Sequence, residues 1–244
     1  MSGVDLRNVS LDALQAEVKR RFECSFKPRS RVVLVGPAGS GKGTQAPRLS
    51  DEMCWCHLST GDLLRDEVKK GSELGREAKK IMDAGGLVSD DIVIGMIKNK
   101  ISEPMCSNGV IFDGFPRTVN QAKALDNMLA SDGKQIDKAI EFDIPDQVLV
   151  ERITGRRIHL ASGRSYHIKF APPKVEGIDD ITGEPLIHRT DDTEEALMKR
   201  MNSYHANTGP ILDYYKQKGR FAKVDANRNV DDVWNDLKNA ARPI

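Results

Sequence analysis

The chain has 244 residues, 39% of them hydrophobic, which is enough for one large α/β domain with insertions. Its 37 basic and 36 acidic residues leave a formal net charge of +1, so bulk charge gives no reason to bind nucleic acid or an anionic membrane. No stretch approaches the roughly 18 apolar residues of a membrane span, and residues 1–25 lack the apolar segment of a secretory signal. We therefore expect a protein of a soluble compartment that binds neither membranes nor nucleic acids.

Residues 1–30 are predicted to form a helical extension that precedes the main domain, residues 31–244. Ser10 is a helix-capping residue, and the apolar residues that follow it have the spacing of one helix face. These apolar residues are Leu11, Leu14, Val18 and Phe22. The segment carries acids as well as bases, which argues against a mitochondrial transit peptide. We expect this helix to pack on the surface of the domain.

Four cysteines are few for a chain of this length, so a disulfide scaffold is not expected. We expect most of Cys24, Cys54, Cys56 and Cys106 to be small buried apolar side chains. Cys54 and Cys56 are separated by one residue, whereas redox and zinc pairs have two between them. A bridge between Cys56 and Cys106 stays open for an oxidising compartment, because spacing alone does not test it.

A glycine-rich loop follows the first predicted strand, residues 31–35. It reads Gly-Pro-Ala-Gly-Ser-Gly-Lys-Gly-Thr over residues 36–44 and leads into a predicted helix. Glycines let backbone N–H groups turn toward an anion, the helix N-terminus is electropositive, and Lys42 adds an ammonium group. Gly43 stands where most such loops have the Ser or Thr that binds magnesium, and Thr44 comes one residue later. This form of the phosphate-binding loop favours nucleoside monophosphate kinases.

Further strands are predicted at residues 109–113, 138–143 and 221–225, separated by helical stretches. This alternation predicts an α/β protein of the P-loop NTPase fold, with a parallel sheet flanked by helices. Ligands of such sheets bind at the carboxyl ends of the strands. Residues 155–192 are rich in proline and glycine and predict a small β-rich lid.

Charged residues at the strand ends suit the chemistry of phosphates. Asp113 can hold magnesium through water, and Arg117 can grip a phosphate with its planar guanidinium group. Further arginines lie near element ends or in the lid: Arg65, Arg152, Arg156, Arg189 and Arg200. The sequence has no histidine-aspartate catalytic loop of the protein-kinase type. An acceptor that is already a phosphate anion needs no base, which indicates phosphate-to-phosphate transfer.

Several motifs together resemble the adenylate kinases of the long-lid type. They are Gln121 and residues 36–44, 58–65, 82–85, 113–118, 155–157 and 189–192. The resemblance runs from about residue 31 to residue 237 and is nearest to the eukaryotic cytosolic and mitochondrial intermembrane-space forms. It implies an AMP-binding lobe at residues 59–88 and an ATP lid at residues 155–192, with the remainder as core.

The resemblance also implies roles for individual residues. ATP would be bound by Gly39, Ser40, Gly41, Lys42, Gly43, Thr44, Arg152, Arg156 and Arg228. AMP would be bound by Thr60, Arg65, Met82, Val88, Gly114, Arg117, Gln121, Arg189 and Arg200. Lys42, Arg117, Arg156, Arg189 and Arg200 would be catalytic, Asp113 would orient the waters of Mg²⁺, and Asp191 and Asp192 would hold lid arginines in place.

Many relatives of this type have four zinc-binding cysteines in the lid. This chain has His159, Ser162, Asp179 and Thr182 at those places. Neutral Ser and Thr hydroxyls are poor zinc ligands, so we expect no structural zinc and a hydrogen-bonded network instead.

The resulting hypothesis is reversible transfer of the terminal phosphoryl group from Mg-ATP to AMP, giving two ADP. A GTP:AMP phosphotransferase is the alternative enzyme, and the sequence does not settle the donor base. A catalytically silent nucleotide-binding partner of another protein is the alternative of a different class, which the intact lysine and arginines disfavour. We expect a monomer in the cytoplasm, with the mitochondrial intermembrane space as the alternative compartment.

Overall fold

The computed structural model describes residues 8–71, 73–83 and 88–242, apart from the side chains of Leu74, Met82 and Asp83. Its main sheet has five parallel strands in the order β2-β3-β1-β4-β7. These strands are β1 (Ser30–Val35), β2 (Cys56–Ser59), β3 (Gly109–Asp113), β4 (Lys138–Asp143) and β7 (Phe221–Asp225). A second sheet pairs β5 (Arg156–Ile158) with β6 (Ser165–His167) in antiparallel fashion.

The described helices are α1 (Leu11–Ser25), α2 (Lys42–Met53), α3 (Thr60–Lys70), α4 (Glu73–Asp83), α5 (Asp90–Ile101), α6 (Val119–Ala130), α7 (Leu149–Thr154), α8 (Glu194–Ser203), α9 (Gly209–Gln217) and α10 (Val230–Ala241). Short 3₁₀ turns lie at Pro104–Cys106 and Asp146–Val148, and a π-helical turn, Tyr204–Thr208, joins α8 to α9. Side chains cap several helix starts as the sequence suggests. Ser59 accepts the N–H of Asp62, and Thr118 accepts the N–H of Gln121.

The main sheet is buried on both faces, which explains its continuous apolar runs. In β1, Val33 and Val35 belong to the cluster that includes α5, α6 and α9, while Val32 and Leu34 belong to the cluster that includes α2 and α10. The parallel sheet flanked by helices is therefore confirmed. Three of its strands have the predicted bounds, and β1 begins one residue earlier than predicted. Strand β2 was not among the predicted strands.

The lid segment contains the β5–β6 pair and isolated bridges such as Ile158 with Ile187. Hydrogen bonds between backbone groups close its loops, for example Asp179 N–H to Glu184 O at 2.8 Å. A loop-rich β structure was the expectation for this part of the chain, and the short strands agree with it.

The N-terminal helix differs from the prediction. Ser10 caps α1 as expected, by accepting the N–H of Ala13 at 3.2 Å. Most of its apolar face is uncovered, however, since Leu11, Val18 and Phe22 are each at least 65% exposed, and Leu14 is half-buried. Cys24, near the C-terminal end of α1, is the buried residue of this helix. An amphipathic pattern shows that a face could be covered but not that this domain covers it, so the prediction of a packed helix was wrong.

The cysteines also differ from the prediction, because all four are paired. One disulfide joins Cys24 to Cys54, and another joins Cys56 to Cys106. The partners are 30 and 50 residues apart in sequence, so only the fold brings them together. The expectation of free buried thiols was therefore wrong, and the open alternative of a Cys56–Cys106 bridge is the one observed. The first disulfide attaches α1 to the C-terminal end of α2.

Among the helices of the described residues, none is both long enough and apolar enough to cross a membrane.

Candidate active site

The glycine-rich loop lies between β1 and α2, at the carboxyl edge of the main sheet. Gly39 and Gly41 have φ angles of 85° and 98°, which disfavour any residue with a side chain. α2 begins at Lys42, whose ammonium group donates hydrogen bonds to the carbonyl oxygens of Gly36 (2.6 Å) and Pro37 (2.9 Å). The loop thus curls around its own lysine and leaves the start of α2 facing a cavity.

This cavity has a volume of about 520 Å³, a size typical of small-molecule sites. Cationic side chains from several elements line it, and two carboxylates, those of Asp62 and Asp113, face them. The cations are those of Lys42, Arg65, Arg117, Arg152, Arg156, Arg189, Arg200 and Arg228. Such an excess of positive charge inside a cleft attracts a strongly anionic ligand.

Burial and the surrounding positive charge lower the pKa of Lys42. Burial in the cavity is the largest cause, and the guanidinium groups of Arg117 and Arg200 add to it. Asp113 acts in the opposite direction, and the resulting pKa is about 8. Lys42 is therefore mostly protonated at neutral pH but loses its proton far more readily than a surface lysine.

Asp113 ends β3 beside this lysine. Burial tends to raise the pKa of its carboxyl group, but the hydrogen bond from His57 and the charge of Lys42 outweigh burial and hold the pKa below its usual value. His57 Nε2 lies 3.4 Å from Asp113 Oδ2. The carboxylate is thus ionised at neutral pH and available to a cation.

Arg117 follows β3 and is held by the backbone and by Gln121. Its Nε donates to Gly114 O at 2.8 Å, and its backbone N–H donates to Gln121 Oε1 at 2.7 Å. The other end of the Gln121 amide donates to Asp90 Oδ1 at 2.6 Å. Thr60, Val88, Gly114, Arg117 and Gln121 together line a small second cavity.

Carboxylates hold two further cavity arginines. Asp192 pairs with Arg156, and Asp191 pairs with Arg200 at 3.1 Å. The contact of Asp192 agrees with its expected role, because Arg156 belongs to the lid. Arg200, the partner of Asp191, lies on α8, outside the lid range of residues 155–192.

Asp62 lies between two arginines, Arg65 at 2.5 Å and Arg189 at 3.7 Å. Burial lowers the pKa of Arg189 to about 10, and the charges of Arg65 and Arg156 contribute. Within the described residues, Arg189 Nε is buried without a hydrogen-bond partner. This guanidinium group is poised to gain from an added anion.

The main cavity brings together the predicted residues of the loop and the predicted arginines, including Arg152 and Arg228. Arg228, which precedes α10, also pairs with Asp236 of that helix at 2.7 Å. Thr60, Val88 and Gln121 line the second cavity. The side chain of Met82 lies outside the described part of the chain.

The lid corner that carries cysteines in many relatives holds a hydrogen-bonded network. Asp179 accepts from Arg164 Nη2 (2.7 Å), from Tyr166 Oη (3.0 Å) and from Thr182 Oγ1 (3.0 Å). His159 Nδ1 and Ser162 Oγ share a hydrogen bond of 2.7 Å. The expected hydrogen-bonded network is therefore observed, and each of these polar side chains has a partner in it.

Sequence reasoning missed the parts played by His57 and Asp62. His57 is on β2, two residues before Ser59, which pairs in register with Asp113. Its side chain therefore reaches Asp113 from the neighbouring strand, a relation that becomes visible only when β2 is recognised. Asp62 stands in a recognised motif, but no signal in the sequence links it to Arg189.

Comparisons with known proteins agree with this arrangement. The family model for adenylate kinase matches residues 34–220. An adenylate kinase from Aspergillus oryzae is 54% identical over 93% of this chain and 90% of its own length. Adenylate kinase 4 from Arabidopsis thaliana is 50% identical over 98% of this chain and 97% of its own length. An adenylate kinase from Vanderwaltozyma polyspora is 58% identical over 85% of this chain and 93% of its own length. The chain belongs to the adenylate kinase family, nucleoside monophosphate kinases that transfer a phosphoryl group between ATP and AMP.

Proposed function

We propose that the main cavity binds ATP and AMP so that their phosphates meet between Lys42 and Arg117. The donor triphosphate lies on the loop, bound by the backbone N–H groups of residues 39–44 and by Lys42. Arg152 and Arg228 flank the donor's base and ribose. The observation that carries this proposal is the single cavity in which the loop faces arginines from both predicted lobes.

The acceptor AMP lies on the β2–β3 side of the loop. Arg65 and Arg117 hold its phosphate, and its base lies against Thr60, Val88, Gly114 and Gln121, which line the small cavity. Met82 belongs to the same set by resemblance. The phosphate replaces Asp62 as the anionic partner of Arg65 and Arg189, which supplies the electrostatic gain on binding.

Adenylate kinases use Mg-ATP, and the carboxylate oxygens in this cavity suit a magnesium ion that arrives with the nucleotide. Asp113 is an ionised carboxylate beside Lys42, and Mg²⁺ prefers oxygen ligands and retains waters. No cluster of three or more metal-binding side chains occurs among the described residues. Bound Mg²⁺ neutralises phosphate charge, and Asp113 would hold it through water.

The transfer itself needs positioning and charge rather than a base, because the attacking oxygen of AMP is already anionic. Lys42, Arg117, Arg156, Arg189 and Arg200 surround the place where the phosphoryl group moves and stabilise its spread charge. Closure of residues 59–88 and 155–192 over the core excludes water, which would otherwise accept the phosphoryl group.

Two arginine variants test the assignment of the two nucleotide sites. Arg117→Ala is expected to raise the KM for AMP and to lower kcat, since both phosphate binding and alignment are lost. Arg152→Ala is expected to raise mainly the KM for ATP. Each variant is the control for the other. Steady-state kinetics that showed the same KM changes for both nucleotides in both variants would overturn the assignment.

The compartment is a separate proposal. The cytoplasm was the first expectation, but disulfides persist in oxidising compartments and are reduced in the cytosol. The two observed bridges favour the alternative, the mitochondrial intermembrane space. Alkylation of thiols in protein taken directly from its cells tests this, since four modified cysteines per chain would contradict it.

We also propose that the protein is a monomer, as the family resemblance suggests. Sedimentation equilibrium should give one chain mass, 27.1 kDa. A dimer mass at micromolar concentration would contradict this proposal.

A further inference from the structure

One buried side-chain amide in the first turn of α2 has a hydrogen-bond partner for its nitrogen but, among the described residues, none for its oxygen. Gln45 directly follows the loop and is 2% exposed. Its Nε2 donates a 2.7 Å hydrogen bond to the carbonyl oxygen of Val230, which fixes the orientation of the amide, because a carbonyl cannot accept from Oε1. Oε1 is buried, and no donor in the described part of the chain reaches it. Buried acceptors without a partner are rare and costly, so this oxygen needs an explanation.

Gln45 lines the main cavity at the end that is formed by the starts of α2 and α10. Its neighbours in that lining include Ala226, Val230 and Val233, which are apolar. In the strand order, β4 and β7 lie on one side of the loop strand β1, and β2 and β3 lie on the other. Arg65 and Arg117, the proposed AMP ligands, follow β2 and β3. The Gln45 end is therefore on the opposite side, where the base of the donor nucleotide belongs.

We propose that Gln45 is a specificity-determining residue, whose Oε1 accepts a hydrogen bond from the 6-amino group of the donor adenine. This inference rests on the proposed placement of the donor on the loop. Neighbouring atoms cover Oε1 in this conformation, so the amide turns toward the cavity as the base enters, with the bond to Val230 as its pivot. Guanine presents a 6-oxo group instead, which would place two acceptors face to face. Gln45 thereby favours ATP over GTP.

The test compares ATP with purine riboside triphosphate, which has hydrogen in place of the 6-amino group, and with GTP. Gln45→Met removes Oε1 and keeps the length of the side chain. We expect the wild-type ratio of kcat/KM for ATP to that for purine riboside triphosphate to fall about tenfold in the variant, the size of one hydrogen bond. The ratio for ATP over GTP should fall in the same direction.

The ratio separates base recognition from structural damage. Gln45→Met also leaves the Val230 carbonyl without its donor, but disorder that lowers activity equally with both nucleotides cancels in the ratio. Asn229→Ala provides a matched control, since it removes the cap of α10 next to Val230 and leaves Gln45 in place. This control should retain the wild-type ratio.

The outcomes distinguish the inference from the proposed function. An unchanged ratio in Gln45→Met, with normal wild-type formation of ADP from ATP and AMP, would overturn the role of Gln45 alone. A wild-type protein that formed no ADP would overturn the placement of the donor, and the role of Gln45 with it. A lowered ratio in Asn229→Ala as well would make the effect structural and would also refute the inference.

Discussion

At the scale of single residues, the charge of Lys42 depends on what shares the cavity with it. Burial and the guanidinium groups of Arg117 and Arg200 reduce its pKa to about 8. A triphosphate at the same place reverses the sign of the local field and favours the ammonium form. Nucleotide binding and protonation of Lys42 are therefore coupled.

This coupling predicts a pH dependence of ATP affinity. Below pH 8 Lys42 is protonated both before and after binding, so affinity stays constant. Above pH 8 the free protein has lost the proton and binding must take it up again. The Kd should then rise by up to about tenfold per pH unit. Calorimetric titrations with ATP from about pH 7 to about pH 10 measure this slope. Lys42→Met should show no such slope, and an equal slope in that variant would contradict the prediction.

The sequence identified those site residues that belong to a local motif next to a predicted strand. Lys42, Asp113 and Arg117 follow apolar strands whose ends meet at one sheet edge, so their convergence follows from the parallel topology. His57 and Gln45 could not be found in this way. Their partners are a residue of the neighbouring strand and a residue 185 positions along the chain, and such contacts leave no local pattern.

At the scale of elements, the lid is held by the network around Asp179. The carboxylate is fully covered and accepts from Arg164, Tyr166 and Thr182, and the hydrogen bond from Arg164 is the largest cause that holds its pKa far below the usual range. An asparagine amide at this position would lose the ion pair with Arg164. Its nitrogen would also face hydrogen-bond donors, which cannot accept its hydrogens.

Asp179→Asn is therefore expected to loosen the lid locally. Tryptic cleavage within residues 155–192 should become faster and kcat should fall, while the core unfolds at nearly the same temperature. Glu176→Gln, at an exposed residue of the same lid, is the matched control and should behave as wild type. If the variant unfolded as a whole at a lower temperature without faster lid cleavage, the network would belong to the core instead.

The same network leads to a prediction about zinc. Ser162 and Thr182 act as hydrogen-bonding hydroxyls, which are poor zinc ligands. Elemental analysis of the purified protein should find no stoichiometric zinc. One zinc per chain would contradict this interpretation of the lid.

The two disulfides are expected to serve different elements. Cys24–Cys54 attaches an otherwise exposed α1, whereas Cys56 and Cys106 lie in the main apolar cluster. The double variant Cys24→Ser/Cys54→Ser should release α1 to proteolysis and leave activity nearly unchanged. By loop entropy it should cost about 3.6 kcal/mol of unfolding free energy for its loop of 30 residues, and Cys56→Ser/Cys106→Ser should cost about 4 kcal/mol for its loop of 50 residues. Limited proteolysis of both variants, side by side, measures the contrast between them, and equal release of α1 in both would contradict it.

At the scale of the whole molecule, the sheet was predictable because its strands are buried on both faces and leave continuous apolar runs. Strand β2 was not predictable, since it has four residues that alternate between buried and half-buried at the edge of the sheet. The position of α1 was also beyond the sequence, because its apolar stripe is compatible with a packed helix and with an exposed one. The sequence indicated which elements form better than it indicated where elements distant in sequence lie relative to one another.

The whole fold places one phosphate-binding loop and the arginines of two lobes around a single cavity. The central claim is that this cavity passes a phosphoryl group directly from ATP to AMP, with Lys42 holding the donor. The most direct test is ADP formation from AMP and Mg-ATP by the wild type, by Lys42→Met, and by Lys69→Met as a control at an exposed lysine paired with Asp66. We predict two ADP formed per ATP consumed, turnover abolished in Lys42→Met, and unchanged turnover in Lys69→Met. ATP hydrolysis that does not require AMP, or full activity of Lys42→Met, would contradict the account.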